Sequence, residues 1–420
     1  MPMAILRNVS AYRAWAEIDL DALTHNLAVI RHRAGPGVRL ILVVKADAYG
    51  HGAVAIANHA VRCGVAALGV GTSAEALGLR ASGLRVPILV LGTLIEDEAP
   101  DALRHGIHIA LHSSDRCAML QDLARRLGLR AHVHLNVDTG MGRLGVLPNR
   151  AIELLGMIHA SSHLDLAGVM SHVSAPEGAL AASTVEQARA FEAVLRAARS
   201  AHLLRGWIHL ANSASIFTDL RPIYDAVRPG ISAYGILPCD LPGSDALRPA
   251  MSLKSQIVFM KDVPAGTPVG YGSTWRADRV TRVATLPLGY DDGVSWRLSN
   301  RGEVLVAGRR APIIGRISMD YTTIDVTHVP GAKVGDVVTL LGTDGGETIS
   351  VEEIARRSDT ISYEVVCAVG KRVRRTYVGG ADIELPSQAQ SRSGSPKWSP
   401  RVAPLPAETS RTPRWPGRAP

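Results

Sequence analysis

The sequence predicts an α/β protein: a (β/α)8 barrel followed by a mainly β C-terminal domain. Three observations predict it. Apolar runs alternate with helix-like stretches across the first 235 residues. A Pro/Gly-rich stretch, LPCDLPGSDALRP at 237–249, breaks that texture. From about 250 to 385, short β-like runs separated by Gly, Pro and Asp turns take over.

In chain order, the strand candidates of the first part are 39–45 (RLILVVK), 67–72, 87–93, 108–112, 131–137 (AHVHLNV), 166–171, 207–211 and 225–228. Most are continuous apolar runs, as expected of parallel strands covered on both faces. Amphipathic segments such as 114–128 and 182–201 lie between them. Eight such units fit the barrel in count and length. A doubly wound sheet is the alternative, because periodicity alone does not close a barrel. The second part offers runs at 253–260, 280–286, 303–307, 311–317, 321–326 and 336–341. We therefore expect a barrel over 1–240, a β domain over 241–386, and pairing of 14–20 (AWAEIDL) with the second domain. The Pro/Ser/Arg-rich tail 387–420 has almost no aliphatic content and is expected to be disordered.

Composition narrows the function. The 420 residues are 46% hydrophobic and 20% charged, which is ordinary for a globular chain. The net charge is +8, but the tail alone carries six Lys/Arg against one Glu, leaving a body too weakly basic for nucleic-acid binding. Four scattered cysteines exclude a disulfide scaffold and fit a reducing compartment. There is neither an apolar run long enough for a membrane span nor a signal-peptide core, so a cytoplasmic location is expected. His132 and His134 alternate on strand 131–137, a pattern that suggests packing, and no metal site is expected. The basic run 371–375 (KRVRR) reads as a solvated strand edge.

A barrel carries its active site at the C-terminal ends of its strands. There the first strand ends in Val43-Val44-Lys45-Ala46-Asp47-Ala48-Tyr49-Gly50-His51-Gly52. Desolvation in a barrel mouth would free the Lys45 amine as a nucleophile; snorkelling to solvent is the competing reading. The following strands end in 138–145 (DTGMGRLG), Ser171-His172, 209–215 (HLANSAS) and Arg228-Pro229-Gly230-Ile231. Ser213 and the Gly230–Ile231 amides lie where barrels bind phosphate. A lysine at one end and a phosphate cradle opposite suggest pyridoxal phosphate, with Lys45 bonded to it and Arg228 facing its pyridine nitrogen.

VVKADAYGHG, DTGMGRLG, HLANSAS, VRPGISAYG, VGYGSTW, LPLGYDDG and GRISMDYTTIDVT together resemble the alanine racemase family, over about residues 14–385. The resemblance implies L-alanine/D-alanine interconversion, D-alanine for peptidoglycan, and a head-to-tail homodimer. Lys45 would act on one face of the substrate Cα, and Tyr271 of the partner subunit on the other. The resemblance places His172 and Arg228 near that tyrosine. Tyr49, Ser213, Gly230, Ile231 and Tyr363 would hold the phosphate. Arg143 would reach the cofactor phenolic oxygen and the substrate carboxylate, which the Met319 backbone would help to fix. Tyr290, Asp320 and Tyr363 would narrow the entrance, and His209 would support Arg228. An arginine at the pyridine nitrogen keeps that nitrogen unprotonated and weakens the ring as an electron sink, which suits a two-base proton swap.

Two positions depart from the family pattern. Many members carry a carbamylated lysine where this chain has Asn136; a chloride between Asn136 and Arg143 would supply the missing negative partner. Ser318 stands where some relatives have cysteine. Of three alternatives, the residues oppose the first two and leave the third open. A basic amino-acid decarboxylase would need an acid in place of Arg228. A single-barrel cofactor-binding protein would lack the second domain. A racemase of broader specificity would differ only in its entrance loops.

Overall fold

The computed structural model describes residues 12–174, 181–218 and 223–380, so the tail expected to be disordered lies outside the described residues. A first strand, β1 (Ala14–Asp19), leads into the helix Leu20–Ala34, whose N-terminus is capped by the Asp19 carboxylate. Eight parallel strands follow: β2 (Arg39–Val43), β3 (Ala67–Val70), β4 (Ile88–Val90), β5 (His108–Leu111), β6 (Ala131–Asn136), β7 (Leu164–Met170), β8 (Trp207–Asn212) and β9 (Ala226–Arg228). They close into a barrel through the β2–β9 pairing, and all eight coincide with the expected runs. The doubly wound alternative is thereby excluded.

The barrel is filled rather than hollow. Small apolar groups such as Ile41, Ala67, Ala226, Leu89 and Ala110 pack inside it. Histidines complete the interior: His134 on β6 hydrogen-bonds His209 on β8, across the intervening strand β7. Two ladders shift register at these positions, β6–β7 between Val133 and His134, and β8–β9 between His209 and Asn212.

The second part is built on β10 (Met251–Gln256), β11 (Phe259–Val263), β12 (Pro268–Val269), β13 (Trp275–Arg276), β14 (Thr281–Leu286), β15 (Glu303–Val306), β16 (Arg309–Pro312), β17 (Thr322–Asp325), β18 (Val337–Asp344), β19 (Glu347–Ile349) and β20 (Arg374–Val378). The main sheet runs β16-β15-β18-β10-β1-β20, so β1 sits between β10 and β20. β11, β14 and β17 form a second sheet.

Three local expectations are corrected. The run 253–260 is two strands, because Ile257 bonds Asp336 on one side while Val258 bonds Thr285 of the other sheet, handing the chain across. The run 311–317 stops as a strand at Pro312, which has no N–H to donate. The basic run is an edge, but not a solvated one throughout: Arg375 is half-buried and donates to the carbonyls of Gly50, Val369, Gly370 and Val373. Two helices stand among these strands: Val351–Arg357, whose start is marked by the N-cap Ser350 three residues before Glu353, and Ser362–Cys367, which has no side-chain cap.

Candidate active site

The C-terminal ends of the barrel strands surround a cavity of about 390 Å³. Lys45, Tyr49, Asn136, Arg143, His172, Ser213, Arg228, Gly230 and Tyr363 all line it. Nine of the expected residues therefore converge on one space within a single chain.

Lys45 follows β2, and the chain after it does something unusual. Ala46, Asp47, Ala48 and Tyr49 all have φ between 52° and 55°, a left-handed turn of four non-glycine residues. Such residues cost roughly 1–2 kcal/mol each, so the surroundings must hold them. The Glu75 carboxylate accepts from the amides of Ala46 and Gly71, both at 2.7 Å. The Asp47 carboxylate accepts from Ala53 N. From the other domain, Arg375 donates to Gly50 O and Tyr377 to His51 O. Lys45 itself is exposed at the cavity, so the expected desolvation is not found in one chain. The mouth above it is open.

Arg228 is the most tightly held side chain of the site. It is 4% exposed and donates to the carbonyls of His209, Ser171 and Leu210 at 2.6–2.9 Å. It also meets His209 Nδ1 at 2.7 Å and His172 Nδ1 at 3.3 Å. Among the described residues no carboxylate pairs with it. Burial pulls the guanidinium down to about 10, which leaves it charged near neutrality. Its charge works back on its neighbours: burial and then Arg228 hold His172 and His134 at about 3, and His209 well below the ordinary range.

At the ends of β8 and β9, the Ser213 hydroxyl accepts from Gly230 N at 2.8 Å and from Ser232 N at 3.3 Å. A Cβ at Gly230 would lie 2.6 Å from the Tyr49 hydroxyl, so only glycine leaves that hydroxyl its place. Tyr49 is buried, with its ring 6.1 Å from Tyr363; burial, then Tyr363, raises its pKa. Ile231 opens the short turn Ile231–Tyr234, is buried, and does not line the cavity.

The loop carrying Arg143 is fixed by Asp138, whose carboxylate accepts from the amides of Gly140, Met141 and Gly142. Asn136 Nδ2 donates to Leu144 O at 3.0 Å, tying the end of β6 to the same loop. Arg143 is exposed and has no ion pair among the described residues. Sequence reasoning passed over Asp138 and Glu75. The Asp-Thr-Gly-Met-Gly order signals the first as a turn former; Thr72-x-x-Glu75 marks the second as half of a helix capping box but not as a partner of Ala46.

Besides Ile231 and His209, four expected residues do not line the cavity of one chain. Tyr271 begins a short turn, Tyr271–Ser273, and is 73% exposed. Tyr290, Met319 and Asp320 cluster on turns of the second domain, where Arg372 pairs with Asp320 and donates to Met319 O. All four stand on turns projecting from β strands, and those turns face outward. His209 lies behind the cavity wall, bonded to Arg228.

The fold and site thus define a class: a (β/α)8-barrel enzyme with an amine and a guanidinium facing one cavity. The comparisons specify it. The alanine racemase N-terminal domain model matches residues 18–238, and the C-terminal domain model matches 250–377. The alanine racemase of Syntrophobacter fumaroxidans is 44% identical over 371 residues, covering 87% of this chain and 98% of the relative. That of Halothermothrix orenii is 39% identical, over 87% and 98%. The crystal structure of alanine racemase from D-cycloserine producing Streptomyces lavendulae superposes with a TM-score of 0.82 at 36% identity, covering 87% and 97%. The chain belongs to the alanine racemase family.

Proposed function

We propose that this chain interconverts L-alanine and D-alanine with pyridoxal phosphate at the barrel mouth, by moving one proton between two bases on opposite faces of Cα. The observation that carries the reading is Arg228, a buried cation without a carboxylate partner among the described residues, sharing one cavity with Lys45.

The residues fit the cofactor. The cavity lies within the roughly 300–1,000 Å³ usual for small-molecule sites. Ser213, Gly230 and Tyr49 form a hydroxyl–amide cradle suited to phosphate, with Tyr363 and the Ile231 backbone beside it. Arg228 can only donate, and a pyridine nitrogen is an acceptor. When bound, the cofactor would supply the electron-withdrawing ring that acidifies the Cα–H of the amino acid joined to it. Lys45 would release or take the proton on one face. Tyr271 of a second copy would do so on the other, because its exposure leaves it free to enter a neighbour's cavity. A homodimer with shared sites follows. In it Arg143 and the Met319 backbone would hold the substrate carboxylate, while Tyr290, Asp320 and Tyr363 would narrow the entrance.

Three further readings accompany this one. Residues 1–240 form the cofactor-binding barrel unit, and 241–386 the unit that supplies Tyr271. A chloride would sit between Asn136 and Arg143, balancing an arginine that has no carboxylate partner among the described residues. The enzyme works in the cytoplasm and supplies D-alanine for peptidoglycan; among the described residues no helix is long and apolar enough to cross a membrane.

Incubation with a panel of L-amino acids in deuterated water tests the core proposal. Inversion of alanine with deuterium entering at Cα is expected. Exchange without inversion would contradict a two-base path. Inversion of bulkier amino acids at equal rates would replace alanine by a broader substrate range.

A further inference from the structure

Behind Arg228 the barrel interior holds an unbroken series of imidazoles. Arg228 Nη1 meets His209 Nδ1 at 2.7 Å, His209 Nε2 meets His134 Nδ1 at 2.9 Å, and His134 Nε2 meets His108 Nδ1 at 3.1 Å. His108 stacks on His132, with ring centroids 4.9 Å apart, and His132 Nδ1 bonds the Asp165 carboxylate at 2.9 Å. His108, His134 and His209 are all buried.

We propose that His209, His134 and His108 form a proton-ordered positioning chain, each ring carrying its hydrogen on Nε2, that fixes the guanidinium of Arg228 from the floor of the barrel. The order follows from the first contact. A guanidinium only donates, so His209 Nδ1 must present a lone pair. A neutral ring then carries its hydrogen on Nε2, which points at His134 Nδ1 and makes that atom the acceptor. The same step repeats at His108. Its Nε2–H ends the series, and that atom has no hydrogen-bond partner among the described residues. The reverse order would set an N–H against an N–H at 2.7 Å, and so would a doubly protonated His209.

The fold makes room for this arrangement. The ladders shift register at His134 and at His209. Between the two rings runs Gly168 of β7, where a Cβ would collide with His134 Nδ1 and the Trp207 carbonyl. The groups around the chain keep it neutral. Burial acts first on all three rings; Arg228 adds to it at His209 and His134, and His134, His132 and Arg80 add to it at His108. Asp165 acts weakly in the opposite sense on His134.

The tautomer order rests on Arg228 and ring geometry alone. Its effect on turnover rests on the racemase reading above. The experiment separates them. In holoenzyme labelled with 15N-histidine, two-bond 1H–15N spectra should show the Nε2–H pattern for His209, His134 and His108. A Nδ1–H or imidazolium pattern from any of them at neutral pH overturns the chain. His134→Leu removes the acceptor below His209; it should move the His209 signal and the absorbance of the bound cofactor, and lower kcat about tenfold with KM within about twofold. His134→Asn restores an acceptor and should recover most of the loss; equal loss in both variants refutes positioning. Should neither variant fold, His108→Leu acts one ring further away. In that variant an unmoved His134 signal counts against the proposal. A wild-type enzyme without racemase activity would remove the functional reading and leave the tautomer result standing.

Discussion

The two regions that face the proposed reaction are built on opposite principles. The barrel holds fourteen of the fifteen histidines, and its reacting end is fixed from below and behind. Both terminal nitrogens of Arg228 are held by backbone carbonyls, and Lys45 leads into a left-handed turn clamped from two domains. The second domain has a single histidine, His328, and its contribution stands on exposed turns. Tyr271 is 73% and Met319 51% exposed, as side chains waiting for a surface would be. One region is pre-organised by its own chain, whereas in the proposed dimer the other would become organised only on association. Loss of a group from the first should therefore be absolute, and loss from the second should be recoverable by a second copy.

The largest expected effect is at the fixed side. Lys45→Ala should reduce racemisation by more than about 10³-fold and abolish the absorbance of lysine-bound cofactor. Retained absorbance would place the cofactor elsewhere. Tyr271→Phe should be milder, about 10²-fold, and selective for the exchange of one enantiomer's Cα hydrogen. Equal loss for both enantiomers would count against its assigned face. The comparison can then be broken directly by mixing these two variants. Each is defective alone, yet a mixed dimer would join the intact Lys45 of one subunit to the intact Tyr271 of the other. Random pairing should restore about a quarter of wild-type activity. No recovery in a mixed dimer isolated by two tags would confine each site to one chain.

The fixed side should also be the acid-sensitive one. His51 is held at about 4 and His134 at about 3 by burial, with His108 and His209 well below the ordinary range. Their folded values lie below the unfolded value of about 6.5. The unfolded chain therefore binds more protons below that pH; stability is full above it and falls as pH drops toward 4 and then 3. Each ring should cost about 1 kcal/mol between pH 6.5 and 5.5, or about 4 kcal/mol for the four. That is a large share of a total that is ordinarily about 5–15 kcal/mol. Denaturant midpoints across this pH range measure it. A flat profile would mean that the rings take up protons in the fold as readily as in the unfolded chain.

Most of the fixed side was legible in the sequence, for a physical reason. Parallel strands buried on both faces leave continuous apolar runs, and barrels put chemistry at the ends of those runs, so Lys45, Arg143, His172, Ser213 and Arg228 could be located by position. What escaped depends on contacts distant in sequence. Glu75 holds the turn after Lys45 from a helix 29 residues on. The pairing of His134 with His209 spans 75 residues and crosses a strand, so alternation along 131–137 could suggest only packing. The split of 253–260 depends on which sheet Ile257 and Val258 each bond, a tertiary choice with no local mark. The exposed side was legible only through resemblance, since an aromatic residue in a Gly-rich turn looks the same whether it packs at home or enters a neighbour.

The smallest effect sharpens the boundary between the two regions. Arg143 belongs to the barrel but is exposed and, among the described residues, lacks a carboxylate partner, while Asn136 beside it has given one amide bond to Leu144 O. A bound chloride would offset the arginine's charge and restrain its long side chain. Replacing chloride by a large, non-coordinating anion at constant ionic strength should raise KM for alanine a few-fold and leave kcat nearly unchanged, because uniform binding would be lost. Asn136→Lys should make the enzyme indifferent to halide if the lysine becomes carbamylated, and inhibited if it stays cationic beside Arg143. Activity in wild-type enzyme that ignores halide altogether would mean that Arg143 is ordered by its loop alone, through the three amides gathered by Asp138. The barrel side would then be fixed without any partner, ion or subunit.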